Sequence, residues 1–311
     1  MKKIPLICVV GPTASGKTAL GVNLCKVFDG EVVGADSMQI YRGMPIASAV
    51  PSDDERQGIP HHLIEILDFS VNFSVADYVN LAHEKISEIV RRQKMPILVG
   101  GTGLYVNSLV DNIQFTSEPT DLELRKKLNA ELEQNGQEFM HEKLNAIDPK
   151  AAERLHPNNT RRIIRALELF SLTGKTITKL EEESRSVPTP YDAVMIGITY
   201  ENRELLYERI RRRVDLMLEN GLLEEAKATL NLKGGGIQAI GHKELHKYFS
   251  GELGMDEAIE LLKRESCRYA KRQLTWFKKD QRIKWIYADK TEDVLGEAVK
   301  IIKEAQEKSE R

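Results

Sequence analysis

No apolar run in this sequence approaches the roughly 18 residues that a membrane-spanning helix needs, although 41% of its 311 residues are hydrophobic. No membrane association is therefore expected. Cysteine is scarce: Cys8, Cys25 and Cys267 are odd in number, lie far apart and show no paired metal spacing, so reduced structural thiols are expected. An excess of one charge sign is also missing. The net charge of −2 excludes a protein that is basic all over but leaves local basic patches open. Internal repeats and long low-complexity stretches are absent as well, and the length suggests about two domains. The opening "MKKIPLICVVGPT" is basic and then apolar, like a short signal peptide. It lacks a small-residue cleavage site, however, and runs straight into a glycine-rich loop, so the cytoplasm is the expected compartment.

What is present is alternation. The runs 4–10, 31–35, 96–100, 193–200 and 283–288 read as buried strands between helical patterns, the signature of a parallel α/β sheet. Residues 74–93 form an amphipathic helix with Val79, Ile86 and Val90 along one face. From about 115 to 190 the β-branched runs vanish and charge rises. There "DLELRKKLNAELEQ" sets Leu124, Leu128 and Leu132 four residues apart. The expected organisation is an α/β core of 1–114 and 191–311 interrupted by an all-helical insertion of 115–190.

The sharpest motif is "GPTASGKT", Gly11, Pro12, Thr13, Ala14, Ser15, Gly16, Lys17 and Thr18, between an expected strand and an expected helix. This is a complete phosphate loop in the context the motif requires. Its backbone N–H groups and the helix N-terminus cradle an anion, Lys17 supplies a point charge, and the Thr18 hydroxyl can ligate Mg²⁺. The loop reads phosphate, of a nucleotide such as ATP or of another diphosphate. Asp36 follows the next strand, at the edge where open α/β sheets bind ligands. It can be a metal-linked acid, a substrate base or a turn-forming residue. A phosphate-loop NTPase also wants an acid after a second buried strand. The best candidate, "PILVGGTG", ends in glycines and Thr102 instead.

The motifs "GPTASGKT", "DSMQIYRGM", "PHHLIEI", "FSVADY", "LVGGTGLYV", "HPNNTRRIIRALEL", "QAIGHKE" and "YAKRQLTWF" occur in this order across nearly the whole chain. In them the sequence resembles the tRNA dimethylallyltransferases, also called tRNA isopentenyltransferases, in their bacterial form. The Cys/His set of a C-terminal zinc finger, frequent in eukaryotic relatives, is absent. Two places depart from the family's pattern. "GMPIASAVP" stands where "GMDIGTAKP" is common, so Ile46–Val50 lack the usual Gly-Thr and Lys, and His242 stands where Tyr is usual. The resemblance implies a P-loop NTPase-like parallel sheet flanked by helices. It implies transfer of a dimethylallyl group from its diphosphate to the exocyclic amine of the adenosine just 3′ of a tRNA anticodon. The phosphate loop would hold the leaving diphosphate with Mg²⁺ at Thr18. The resemblance further implies Lys17, Asp36, Thr102 and Arg213 as catalytic residues, with Asp36 accepting the proton of the amine. Asp36, Ser37, Met38, Gln39 and Thr102 would face the target base in the anticodon stem-loop.

Two further stretches suit RNA. "NNTRRIIRALELF" sets Ile163, Ile164, Leu167 and Phe170 on one helix face and leaves Arg161, Arg162 and Arg165 elsewhere. "YAKRQLTWFKKDQRIKW" interleaves Lys271, Arg272, Lys278, Lys279, Arg282 and Lys284 with Tyr269, Trp276, Phe277 and Trp285. Cations serve phosphates and aromatic faces stack bases, but solvated helix faces and core aromatics give the same pattern. A phosphate-loop small-molecule kinase, a non-catalytic RNA-binding module and a prenyltransferase of free adenine nucleotides are the competing readings. The basic and aromatic C-terminal stretch favours tRNA over free nucleotides. A monomer is the expected state. The adjacent His61 and His62, with no partner cluster, are expected to be structural.

Overall fold

Parallel strands must each return to the same end of a sheet through a crossover, and the helices that make the crossovers bury both of its faces. In the computed structural model, which describes residues 3–115, 121–232 and 234–309, six strands pair in the order β3-β2-β4-β1-β5-β6. They are β1 (Ile4–Val10), β2 (Gly30–Gly34), β3 (His61–His62), β4 (Met95–Gly100), β5 (Tyr191–Thr199) and β6 (Lys284–Tyr287). Every pairing is parallel, with Ile7 lying between Ile97 and Val194. The class is the expected α/β one, and the five expected strands are present. β3 was not expected, because two residues are too few to show a period.

Alternation along β1 feeds two cores. Leu6, Cys8 and Val10 join Val33 and Leu98 under the helices Val75–Arg91 and Gly103–Val110. Ile7 and Val9 join Val32, Ile97 and Ile198 under Lys17–Phe28 and Val294–Ser309. The helix Val75–Arg91 starts at a reciprocal cap, in which Ser74 and Asp77 each accept the other's backbone N–H. It buries Val79 and Ile86 as expected, Ile89 joins them, and Val90 packs partly buried against the same core. The edge residue His62 hydrogen-bonds Glu31, which is also held by Arg92.

The chain divides into two compact units, Met1–Val110 with Pro190–Arg311, and Asp111–Thr189. In the second unit the helices Leu122–Ile147, Pro149–Arg154, Thr160–Thr173 and Ile177–Glu183 enclose a core of Leu128, Met140, Leu144, Ile163, Ile164 and Leu167. Leu124 and Leu132 pack at its edge. Glu168 is fully buried there and is gripped by Arg125 and Arg165. No helix among the described residues is long and apolar enough to cross a membrane.

Candidate active site

The loop after β1 is shaped by backbone that only glycine tolerates. Gly11 has φ +147°, and a Cβ there would lie 2.3 Å from the Ile198 carbonyl oxygen. The helix Lys17–Phe28 then begins without a side-chain cap and without an acidic residue in its first turn. Its leading N–H groups and positive dipole end are thus left for an anion. Inside the loop the Ser15 hydroxyl is buried without a hydrogen-bond partner. Lys17 donates to the Pro12 carbonyl at 2.6 Å. Removal of its ammonium from water pushes the Lys17 pKa down to about 7, against the pull of Asp36 and with the help of Arg213. Arg213 donates to the Thr13 hydroxyl at 3.1 Å and Arg209 to the Ala14 carbonyl at 3.1 Å, both from the helix Arg203–Glu219. Burial also lowers the Arg213 pKa, opposed by Asp36 and Glu55.

At the end of β2, Asp36 Oδ1 accepts the Met38 N–H at 3.0 Å. The carboxylate thus makes a local turn and still faces the site. Thr102, after β4, accepts the Ser37 N–H at 3.0 Å and donates to the Ser37 hydroxyl at 3.3 Å, which ties the two strand ends together. Gln273 completes the floor. Its amide oxygen accepts the Thr13 N–H at 2.8 Å, and its amide nitrogen donates to the Gly101 carbonyl at 2.9 Å. The side chain lies so close to Gly101 that a Cβ there would meet it at 2.2 Å. Tyr269, one turn earlier on the helix Met255–Phe277, lines the same cavity beside Thr102 and Gln273. Burial, then the nearby Asp36 carboxylate, raises its pKa.

These groups surround one cavity of about 360 Å³. Thr13, Lys17, Thr18, Arg213 and Arg272 give it a cationic and hydroxylic side, and Asp36, Ser37, Met38 and Gln39 line the β2 side. Ile210, Val214, Met217 and Leu262 supply apolar wall. The residues fit a hard cation: the Thr18 hydroxyl and the Asp36 carboxylate are oxygen donors on one cavity. Such a site can hold a diphosphate, an apolar group beyond it, and a base next to a nucleophile.

The structure therefore gathers Lys17, Thr18, Asp36, Ser37, Met38, Gln39, Arg213 and Arg272 at one cavity, with Thr102 bonded to its rim. Lys271, Trp276 and Lys278 are exposed on the helix Met255–Phe277 or at its cap. The interleaved stretch is less available than its pattern suggests. Phe277 is fully buried, Trp285 covers Gly197, and Arg282 is bound to Asp280. Arg161 and Arg162 are exposed on the helix Thr160–Thr173, whereas Arg165 holds Glu168 at 2.8 Å. Sequence reasoning missed Gln273 and Arg209. Gln273 had a signal, since it is a polar residue on the apolar stripe it shares with Ala270 and Phe277.

Residues 39–280 match a family model described as IPP transferase. A tRNA dimethylallyltransferase of Bacillus subtilis is 49% identical over 287 residues, covering 91% of this chain and 90% of that one. One of Acetivibrio thermocellus is 47% identical, covering 91% and 92%. The crystal structure of the tRNA isopentenylpyrophosphate transferase of Bacillus halodurans superposes with a TM-score of 0.72 at 44% identity, covering 99% of this chain and 100% of that one. A eukaryotic dimethylallyltransferase described as acting on tRNA gives a TM-score of 0.79 at 29% identity, covering 96% and 78%.

Proposed function

The chain belongs to the IPP transferase family, and from that premise we propose that it is a tRNA dimethylallyltransferase working in the cavity just described. The donor is dimethylallyl diphosphate. The acceptor is the exocyclic amine of the adenosine 3′ to the anticodon, which leaves the loop stack to reach the cavity. The observation that carries this reading is the cavity itself, which unites a phosphate cradle, a strand-end carboxylate and apolar wall. β4 ends at Gly100 and is followed by Gly101 and Thr102, without the second acid an NTPase uses, which supports a leaving diphosphate over a hydrolysed nucleotide.

The chemistry follows from charge. The adenine amine is a weak nucleophile, so it displaces diphosphate from the allylic carbon only if both ends are assisted. At the leaving end, the loop N–H groups, Lys17 and Arg213 stabilise negative charge that grows as the carbon–oxygen bond breaks. Thr18 would hold Mg²⁺, and the bound ion would neutralise further charge on the diphosphate. At the amine end, the carbon–nitrogen bond forms while Asp36 accepts the proton released from nitrogen. Thr102, fixed by Ser37, positions the base. The apolar residues of the helices Arg203–Glu219 and Met255–Phe277 receive the hydrocarbon and exclude water that would compete with the amine for the allylic carbon.

For the RNA, Arg161 and Arg162 on one unit and Lys271, Lys278 and Lys279 on the other supply exposed cations. The half-open indole of Trp276 supplies a stacking face. Incubation with dimethylallyl diphosphate, Mg²⁺ and unmodified tRNA, followed by nucleoside mass analysis, is expected to yield N6-isopentenyladenosine. Free adenine nucleotides should remain unmodified. ATP-dependent phosphate transfer with no prenyl transfer would overturn the reading.

A further inference from the structure

One wall of the cavity is a backbone segment with small side chains, Ala47, Ser48 and Ala49. Its own turn closes through the Ser48, Ala49 and Val50 N–H groups, which donate to the Met44, Ile46 and Pro45 carbonyls. Two side chains anchor it from outside, one at its carbonyls and one at its N–H groups. Gln39 donates to the Ala49 carbonyl at 2.8 Å and to the Ser48 carbonyl at 3.2 Å. Glu225, on the helix Leu222–Ala228, accepts the N–H of Ile46 at 2.8 Å on one oxygen and that of Ala47 at 2.9 Å on the other.

The Glu225 side chain is only 8% exposed, so its orientation depends on every donor it meets. Its third donor is His242, which is fully buried, with Nε2 at 2.9 Å from Glu225 Oε1. A carboxylate only accepts, so His242 presents its Nε2–H to Glu225. The ring is held from its other side, where Nδ1 meets the Thr229 hydroxyl at 3.3 Å, and it stacks with Phe69 and His246. The two departures from the family's sequence pattern, Ile46–Val50 and His242, are the two sides of this one carboxylate.

We propose that Glu225 and His242 form a positioning clamp that fixes the Ile46–Ala49 wall and so sets affinity for the prenyl donor without touching it. Ala47 packs with Val214, Met217, Ile240 and Leu262, the same apolar groups that line the cavity. Loosening the clamp lets that wall move relative to the phosphate loop, which Gln273 and Arg213 hold through hydrogen bonds of their own. The inference rests on the donor assigned above, and the test separates the two.

The experiment compares wild type with His242→Leu, His242→Gln and Glu225→Gln by amide hydrogen exchange and by steady-state kinetics. In His242→Leu the amides of Ile46 and Ala47 exchange faster, and the KM for dimethylallyl diphosphate rises roughly tenfold, as fits loss of one donor to a buried carboxylate. The KM for tRNA stays within about twofold. His242→Gln, which keeps an N–H donor, recovers most of both effects. Glu225→Gln, which replaces an acceptor with a donor facing the backbone, matches His242→Leu. Unchanged exchange at Ile46 and Ala47 overturns the clamp, and so does an equal rise in both KM values. Loss of cooperative melting in both His242→Leu and Glu225→Gln also overturns it, because the pair would then hold the fold and not the wall. The exchange reading needs no substrate. A wild-type protein that fails to transfer the prenyl group therefore sinks the donor assignment while leaving the clamp to be decided by exchange.

Discussion

Proton uptake on donor binding is the consequence of placing a lysine where burial strips its ammonium of much of its water. Lys17 titrates at about 7 in the ligand-free protein instead of at its ordinary 10.5. A diphosphate arriving beside it stabilises the ammonium and raises that value, so above pH 7 binding must draw one proton from solvent. With a pKa of about 7, about a quarter of the molecules carry the proton at pH 7.5 and about one in a hundred at pH 9. Donor affinity should accordingly fall roughly 25-fold over that range, where the terminal phosphate no longer titrates. Calorimetry in two buffers of different ionisation enthalpy should read about 0.9 proton taken up per dimethylallyl diphosphate at pH 8. Lys17→Met should bind weakly at every pH and take up none. The neighbours set the break point. Asp36 raises the Lys17 pKa and Arg213 lowers it, so Asp36→Asn moves the break to lower pH and Arg213→Gln to higher pH. The sign for folding follows from the same shift. Between about pH 7 and 10.5 the folded protein binds fewer protons at Lys17 than the unfolded chain, so stability gains with rising pH. Ligand-free Lys17→Met therefore melts higher than wild type at pH 6.5, and the gap closes toward pH 10.5. Proton uptake near zero in the wild type at pH 8 would refute the reasoning.

Asp36→Asn keeps the turn but not the base, so single-turnover transfer should fall roughly 10²- to 10⁴-fold with both affinities within a few-fold. If Asp36 serves the metal instead, donor affinity falls too and excess Mg²⁺ restores it. Arg161→Ala with Arg162→Ala, or Lys278→Ala with Lys279→Ala, should weaken tRNA binding. Each pair should also flatten the slope of log Kd against log salt by about 1 to 2, read by binding at several ionic strengths, while donor affinity is unchanged. Gln273→Leu strands the Thr13 N–H and the Gly101 carbonyl, at a cost of about 1–3 kcal/mol for each buried group left unsatisfied. Chemical denaturation should show the loss of stability, and donor KM should rise with it.

The sheet and the phosphate loop were legible because their signals are local. A strand needs a short apolar run, and the loop needs glycines at fixed spacing before a helix. Asp36 was legible as a strand-end residue, although position alone left turn, metal and base open. The structure shows it making the turn and lining the cavity together. The groups that could not be read are those whose partners lie far along the chain. Gln273 meets Thr13 across 260 positions, and Glu225 meets Ile46 across 179. The arginines beside Ile163 show the limit from the other side. Periodicity placed Arg165 off the apolar face but could not reveal the buried Glu168 that occupies it.

The uncapped start of the helix Lys17–Phe28, with its acid-free first turn and the orphaned Ser15 hydroxyl, has a cost at the far end of the reaction. A cradle built to favour negative charge on a departing diphosphate favours that same diphosphate after the bond has broken, since nothing in the loop senses whether carbon is still attached. The product is therefore expected to compete with the donor, which inhibition by added inorganic diphosphate would read. Hydrolysis of inorganic diphosphate in the same solution should then raise the output of this enzyme, by emptying the cradle that its own catalysis fills.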